Sequence, residues 1–93
     1  MLFFVKVRID IKKLAEFGQK LQSGELDTSQ TKSTYCLKDD PSVGLNIWEA
    51  EDRKTFEQAL VPHKTYYAEV MEVAEVIPPQ EAKTLLRDQL TTT

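Results

Sequence analysis

The chain is poor in the residues that build metal, disulfide and phosphate sites. Its 93 residues include one cysteine, one histidine and three glycines. A lone cysteine excludes a disulfide within the chain, and the carboxylates lack the spacing of metal ligands. Three scattered glycines form no loop that could hold the phosphates of a nucleotide. We therefore predict no metal site and no cofactor.

Charge and hydropathy argue against two further classes of partner. The formal net charge is -3 and the sequence has no basic run, which disfavours binding to nucleic acid or to an anionic membrane surface. No apolar run approaches the roughly 18 residues that a membrane-spanning helix needs. A single cysteine fits a reducing compartment. We expect a cytoplasmic protein with neither a nucleic acid nor a membrane as partner.

Hydrophobic periodicity predicts one α+β domain over residues 1–93. A period of two marks strands, and a stripe at intervals of three and four residues marks helices. Asp10 is placed to cap the first helix, and Pro62 is expected to end the second. The predicted elements are a strand to Ile9, a helix from Asp10 to Gly24, strands over 31–38 and 43–48, a helix from Glu51 to Pro62, a strand over 67–77 and a helix after Pro79.

The element order βαββαβ with a C-terminal helix predicts a ferredoxin-like fold. Right-handed crossovers place both connecting helices on one face of a four-stranded antiparallel sheet. The opposite face then has no cover within the chain, although large residues such as Phe4 and Trp48 are expected there. The simplest cover is a second copy, so we predict a homodimer through the sheet faces, with the C-terminal helix at the edge or on the partner.

The opening residues Met1-Leu2-Phe3-Phe4-Val5-Lys6-Val7, the chain length and the element order resemble the dimeric α/β-barrel superfamily, and in particular muconolactone isomerase and its uncharacterised relatives. The resemblance implies a dimeric α/β barrel whose facing sheets enclose a cavity for a small organic ligand. Isomerases, cyclases, monooxygenases and proteins without known activity share this fold, so the fold alone does not give the reaction. The Pro62-His63 segment also resembles a joint that carries a ligand-contacting histidine in cyclase-like members.

His63 and Glu72 are the candidate catalytic residues. Histidine titrates near neutrality, so His63 can serve as a general base or as a hydrogen-bond donor to a phenolic or enolic oxygen. Glu72 lies on the opposite strand face from Glu69 and Glu75, and a carboxylate in an enclosed cavity could shuttle the proton that a lactone isomerase moves. The alternatives are an exposed histidine near a helix C-terminus and glutamates that protect a strand edge.

A second set of residues is predicted to line the cavity on the face away from the helices: Phe4, Lys6, Cys36, Asn46, Trp48 and Tyr67. Apolar walls with a few polar groups are typical of small-molecule sites. Alternatively, Phe4 and Trp48 form the core of the dimer, and Cys36 is a buried, inert thiol.

Two functions follow from these patterns. One is a cofactor-independent isomerase or cyclase that moves a proton on a small substrate. The other is a non-catalytic ligand-binding or assembly dimer. An open cavity that His63 and a carboxylate both reach would favour catalysis, whereas a solid core between the sheets would favour the non-catalytic protein.

Overall fold

Four strands and three α-helices follow one another in the predicted order, and the computed structural model describes them over residues 1–91. Thr92 and Thr93 of the predicted domain lie outside the described residues. The elements are β1 (Leu2–Ile9), a short 3-10 helix (Ile11–Lys13), α1 (Leu14–Ser23), β2 (Thr31–Cys36), β3 (Val43–Glu49), α2 (Arg53–Lys64), β4 (Tyr67–Val76) and α3 (Pro79–Thr91).

The strands form one antiparallel sheet in the order β2-β3-β1-β4. The first and third strands are therefore central, and the second and fourth are the edges. With α1 joining β1 to β2 and α2 joining β3 to β4, this is the ferredoxin-like arrangement that the sequence predicts. The predicted fold class is confirmed.

Side-chain caps and a left-handed glycine fix the helix ends. The Asp10 side chain accepts a hydrogen bond from the Lys12 amide at 3.1 Å, and Asp52 accepts one from the Thr55 amide at 2.7 Å. Such caps satisfy amide groups that lack a partner in the first turn of a helix. Gly24 ends α1 with φ 82°, a conformation in which a side chain would be strained.

The prediction that Pro62 ends the second helix is wrong. α2 continues through Pro62 to Lys64. Proline has no N–H to offer the carbonyl four residues earlier, which belongs to Gln58, but both residues are exposed and water can satisfy that carbonyl. The extra turn carries His63 onto the buried face of the helix.

The prediction for the faces of the third strand is also wrong. The register pairs Trp48 with Phe3 and Asn46 with Val5, so these side chains lie on the side of the sheet that the helices cover. Cys36 is on this side as well, because it pairs with Gly44, which pairs with Val7. Phe4 and Lys6 lie on the opposite side, which we call the open face.

The alternation of side chains along β3 explains why the predicted faces are exchanged. Gly44, Asn46 and Trp48 are buried residues, whereas Leu45 and Ile47 are only partly buried on the open face. The apolar residues of the strand were expected to face the helices, but the large Trp48 ring fills that space instead. A period of two then sends Leu45 and Ile47 to the other side.

A stacked aromatic cluster joins α2 to the sheet. The Phe3 and Phe56 rings stack at 4.2 Å with an interplanar angle of 4°, and the Trp48 ring meets Phe56 edge to face at 5.8 Å. Val5 and Leu60 complete the centre of this core. Burial of such side chains contributes about 1.5–3 kcal/mol each to folding, so this contact anchors α2 firmly.

The part of the chain that the structure describes contains neither a membrane-spanning helix nor a cluster of metal ligands. No helix in residues 1–91 combines the length and apolar character that crossing a membrane requires. Over the same residues, no group of three or more histidine, cysteine or acidic side chains is arranged to hold a metal ion.

Candidate functional site

A cavity of about 110 Å³ lies between the sheet and the helices, on the side away from the open face. It contains many of the residues that the sequence suggested, although on the other side of the sheet from the one predicted. Its walls are formed by Val7, Ile9, Phe17, Leu21, Thr28, Thr31, Thr34, Cys36, Gly44, Asn46, Trp48, His63 and Tyr67. Such a mixture of apolar walls and a few polar groups is typical of a site for a small organic molecule.

His63 is held in one orientation at this cavity. Its side chain is 2% exposed, and its Nε2 atom lies 3.0 Å from the carbonyl oxygen of Asp27. A carbonyl oxygen only accepts hydrogen bonds, so Nε2 carries the proton. In the neutral ring Nδ1 then holds the free lone pair, and this is the atom that can take a proton from a ligand.

The position of His63 follows from helical spacing. Phe56, Leu60 and His63 are separated by four and three residues, so they lie on one face of α2, and all three are buried. The histidine ring also meets the Trp48 ring edge to face, with the centroids 5.0 Å apart. The alternative of an exposed loop histidine is therefore wrong.

Trp48, which lines the same cavity, carries a buried hydrogen-bond donor without a partner in the described residues. The residue is 1% exposed, and its Nε1 atom has no hydrogen-bond partner within residues 1–91. A buried N–H group left unpaired costs about 1–3 kcal/mol, so proteins rarely retain one without a use. An acceptor oxygen on a cavity occupant would remove this cost once an outward movement of the wall exposes the Nε1 atom.

Tyr67 contributes a phenol that stays neutral. Burial raises the pKa of Tyr67 to about 12, because the phenolate would lose its hydration. Its ring packs edge to face against Phe17 at a centroid distance of 6.1 Å. At neutral pH Tyr67 therefore offers an O–H group rather than a negative charge.

Cys36 and three threonines line the part of the cavity next to β2. The prediction of a buried, inert thiol is wrong, since Cys36 is exposed at the end of the edge strand. Thr34 lies two residues before Cys36 and therefore on the same side of the strand. The alternation of β2 could have identified Thr34, but Thr28 lies in a loop whose path no sequence pattern indicated.

The apolar stripe of the first helical segment, at intervals of three and four residues, closes the cavity on one side. Phe17 and Leu21 reach the cavity, although α1 has no fully buried residue. Ile11 and Leu14 of the same stripe are 72% and 53% exposed. α1 is therefore a lightly packed wall, whereas the sheet and α2 supply the fully buried residues of the other walls.

The remaining candidates do not reach the cavity. Lys6 pairs with Glu72 across the β1–β4 register, and Phe4 pairs with Ala74, so all lie on the open face. Glu72 and His63 are on opposite sides of the sheet. They cannot form the acid–base pair that the sequence suggested within one chain.

The fold has counterparts among solved structures. A conserved protein from Methanosarcina mazei Go1 aligns with a TM-score of 0.50 and 15% identity over 78% of this chain and 86% of that one. A protein described as an antibiotic biosynthesis monooxygenase aligns with a TM-score of 0.51 and 15% identity over 84% of this chain and 100% of that one. No protein-family model and no curated protein matches the chain. At this identity the likeness establishes the fold alone.

Proposed function

We propose that the cavity binds a small, uncharged, planar molecule with a hydroxyl or carbonyl oxygen, and that His63 takes a proton from it. The observation that carries this proposal is the pairing of a tethered, buried imidazole with the unpartnered indole N–H of Trp48. The chemistry is a proton transfer without cofactor, of the kind that isomerases and cyclases perform on phenols and enols.

Each polar wall residue has a role in this scheme. The Nδ1 atom of His63 accepts the proton of the enol hydroxyl and then gives it to the enol carbon, so that an O–H bond is broken, a C–H bond forms and the enol becomes a ketone. The indole N–H of Trp48 and the neutral phenol of Tyr67 donate hydrogen bonds to the oxygen on which negative charge develops. Asn46, which is buried in the same wall, orients the ligand through its amide.

The cavity favours neutral ligands over acids. None of its described wall residues carries a formal charge at neutral pH when His63 is neutral. A muconolactone isomerase-like reaction, which the opening residues suggest, would bring a substrate carboxylate into this space without a lysine or arginine to pair with it. We therefore favour a cyclase-like or enol-isomerising reaction within the same class.

The size of the cavity also limits which ligands can bind. A volume of about 110 Å³ is smaller than the roughly 150 Å³ cavity that holds one benzene ring. A ligand of one ring or more therefore requires α1 to move outward. The light packing of α1 makes this movement inexpensive.

A homodimer through the open face is part of the proposal. Leu2, Phe4, Leu45 and Ile47 form an apolar surface there that is only partly buried within one chain. Lys6 and Glu72 are neighbours on the same face and could pair across the interface. A folded, stable monomer in sedimentation at micromolar concentration would contradict this part.

The site is tested with His63→Gln, because the glutamine amide can keep the hydrogen bond to the Asp27 carbonyl while removing the base. Binding of phenols and enolisable ketones is measured by calorimetry, and turnover by the exchange of carbon-bound hydrogen for deuterium in deuterated solvent and by oxygen consumption. Oxygen consumption separates an oxygenase reaction, named in the description of one structural neighbour, from simple proton transfer.

We expect His63→Gln to retain binding and to lose turnover by about 100-fold or more, in the range of general-base catalysis. Glu57→Gln, on the exposed face of α2, is the control and should change neither quantity. Unchanged turnover in His63→Gln would contradict the base assignment. Binding with no turnover in the unaltered protein would favour the second function, a non-catalytic ligand-binding dimer, which the absence of a carboxylate from the described cavity wall also supports.

A further inference from the structure

The C-terminal helix α3 carries apolar side chains that its own chain leaves uncovered. Leu85 is 54% exposed and Leu86 is 59% exposed. They follow Ala82 by three and four residues, so the three side chains share one face of the helix. Apolar surface of this kind on a terminal helix marks a contact with another molecule.

α3 extends beyond the sheet and does not fold back onto it. The ten residues of β4 span about 33 Å, and the thirteen residues of α3 span about 20 Å. Together these lengths match the 53 Å long axis of the chain, which places the two elements nearly end to end. The beginning of α3 forms a groove with the residue that follows β4, and this groove is lined by Ile77, Glu81, Thr84 and Leu85.

A matching apolar band lies along β4. Val70, Met71 and Val73, which we call the β4 band, are 36%, 36% and 38% exposed. Val70 pairs with Val7 and Val73 pairs with Val5, so both valines lie on the helix side of the sheet. The core that α2 covers is centred on β1 and β3, and the edge strand β4 is left open.

We propose that α3 of one protomer packs on the β4 band of a second copy of this chain, and that the second copy does the same in return. Glu75 pairs with Phe3 and therefore lies on the same side of the sheet as the two valines, and Lys83, three residues before Leu86 on α3, carries the complementary charge. This inference goes beyond the function proposed for the cavity and does not depend on what the cavity binds.

The available area is sufficient for a stable contact. Leu85, Leu86 and the β4 band expose roughly 400 Å² of side chain per chain, so a reciprocal exchange would bury roughly 800 Å² of apolar surface. Since interfaces are a little over half apolar, the whole contact would be about 1,400 Å², within the range of stable interfaces. This contact is compatible with the proposed dimer contact between the open faces, with α3 reaching around the edge strand of the partner's sheet as an arm.

Disulfide cross-linking tests the proposal directly. The native thiol is removed by Cys36→Ser, and Leu86→Cys and Val73→Cys are placed in separate chains that carry different affinity tags. The two chains are co-expressed, purified through both tags and oxidised, and the hetero-linked product is followed on a non-reducing gel. Because each chain has one thiol, that product can only be intermolecular.

The matched control replaces Val73→Cys by Val61→Cys, since Val61 is also apolar and is 59% exposed on α2. We expect the Leu86–Val73 pair to cross-link at least tenfold faster than the Leu86–Val61 pair. Equal rates for the two pairs would overturn the proposal. Faster cross-linking in a separately prepared dimer of two Leu86→Cys chains would also overturn it, because that result would place the helices against each other.

A second measurement uses dimer dissociation. Leu85→Ser combined with Leu86→Ser removes the apolar face of α3 without disturbing the core of the chain, because both leucines are exposed. We expect the dissociation constant of the dimer to rise at least tenfold, with the far-ultraviolet circular dichroism of the folded chain retained. Leu14→Ser, at an equally exposed leucine of α1, should leave the constant unchanged; an equal effect of the two variants would refute the arm contact.

Discussion

Replacement of His63 by alanine tests the geometry of the cavity wall through stability. The substitution removes the hydrogen bond to the Asp27 carbonyl, which is worth about 1 kcal/mol. It also enlarges the cavity by roughly 60 Å³, which at about 24 cal/mol per Å³ costs about 1.5 kcal/mol. Alanine favours the helix by several tenths of a kcal/mol relative to histidine. The expected net loss in free energy of unfolding is therefore about 2 kcal/mol.

Urea unfolding at one fixed protomer concentration measures this loss, because a dimer makes the midpoint concentration-dependent. Two controls separate the contributions. His63→Gln can keep the tether and more of the volume, so it should lose less than half as much as His63→Ala. Lys64→Ala, at the exposed neighbour, should stay within about 0.5 kcal/mol of the unaltered protein.

Two results would refute the reasoning. A His63→Ala variant as stable as Lys64→Ala would mean that the imidazole is not part of the packed wall. A His63→Gln variant as unstable as His63→Ala would mean that the hydrogen bond to Asp27 contributes little to the orientation of the ring. The second result would also remove the argument that Nδ1 is the basic atom.

The remaining predictions concern the core, two titrating groups and the thiol. Phe56→Ala, which removes the ring stacked on Phe3, should lower the free energy of unfolding by about 3–5 kcal/mol in urea titrations. The hydrogen bond from the Thr55 amide lowers the pKa of Asp52. The charged cap therefore stabilises the fold at pH values above the ordinary aspartate pKa, and this stabilisation is lost as the pH falls through the lowered pKa. Asp52→Asn, which is still a good cap, should make the melting temperature less dependent on pH in the acid range. Tyr67 should ionise near pH 12 in ultraviolet difference spectra. The free energy of unfolding should fall as the pH rises from 10 towards 12, because only the unfolded chain ionises readily in that range. Ionisation at pH 10 would show that the phenol is not buried. Cys36 should react with a thiol reagent in the folded protein, and a ligand held in the cavity should slow the reaction.

Element type and order were predictable because each segment follows its own periodicity. The alternation of residues 2–9 and the spacing within α1 and α2 depend only on which face of an element is buried. The cap at Asp10 and the glycine at position 24 marked the two ends of the first helical segment for local chemical reasons. Right-handed crossovers then left the ferredoxin-like arrangement as the simplest topology.

The composition of the site was less predictable than the fold. His63 follows Phe56 and Leu60 in helical spacing, but Pro62 suggested that the helix had ended. Whether proline stops a helix depends on the solvent around a carbonyl one turn earlier, which the sequence does not specify. The tether at Asp27 was equally hidden, because it is a backbone oxygen in a loop, and any residue type supplies one.

The two faces of the sheet are linked by the register of a single strand. Because β3 alternates, burying Trp48 and Asn46 beneath the helices forces Leu45 and Ile47 onto the open face. The choice that gives the cavity its indole and amide therefore also creates the apolar surface that we propose as the dimer interface. A shift of one residue in the register of β3 would exchange the two sets of side chains, and it would abolish both the polar lining of the cavity and the apolar surface. The polar groups of the cavity and the proposed interface thus depend on the register of the same strand, which explains why the sequence pattern predicted many of the right residues but on the wrong side of the sheet.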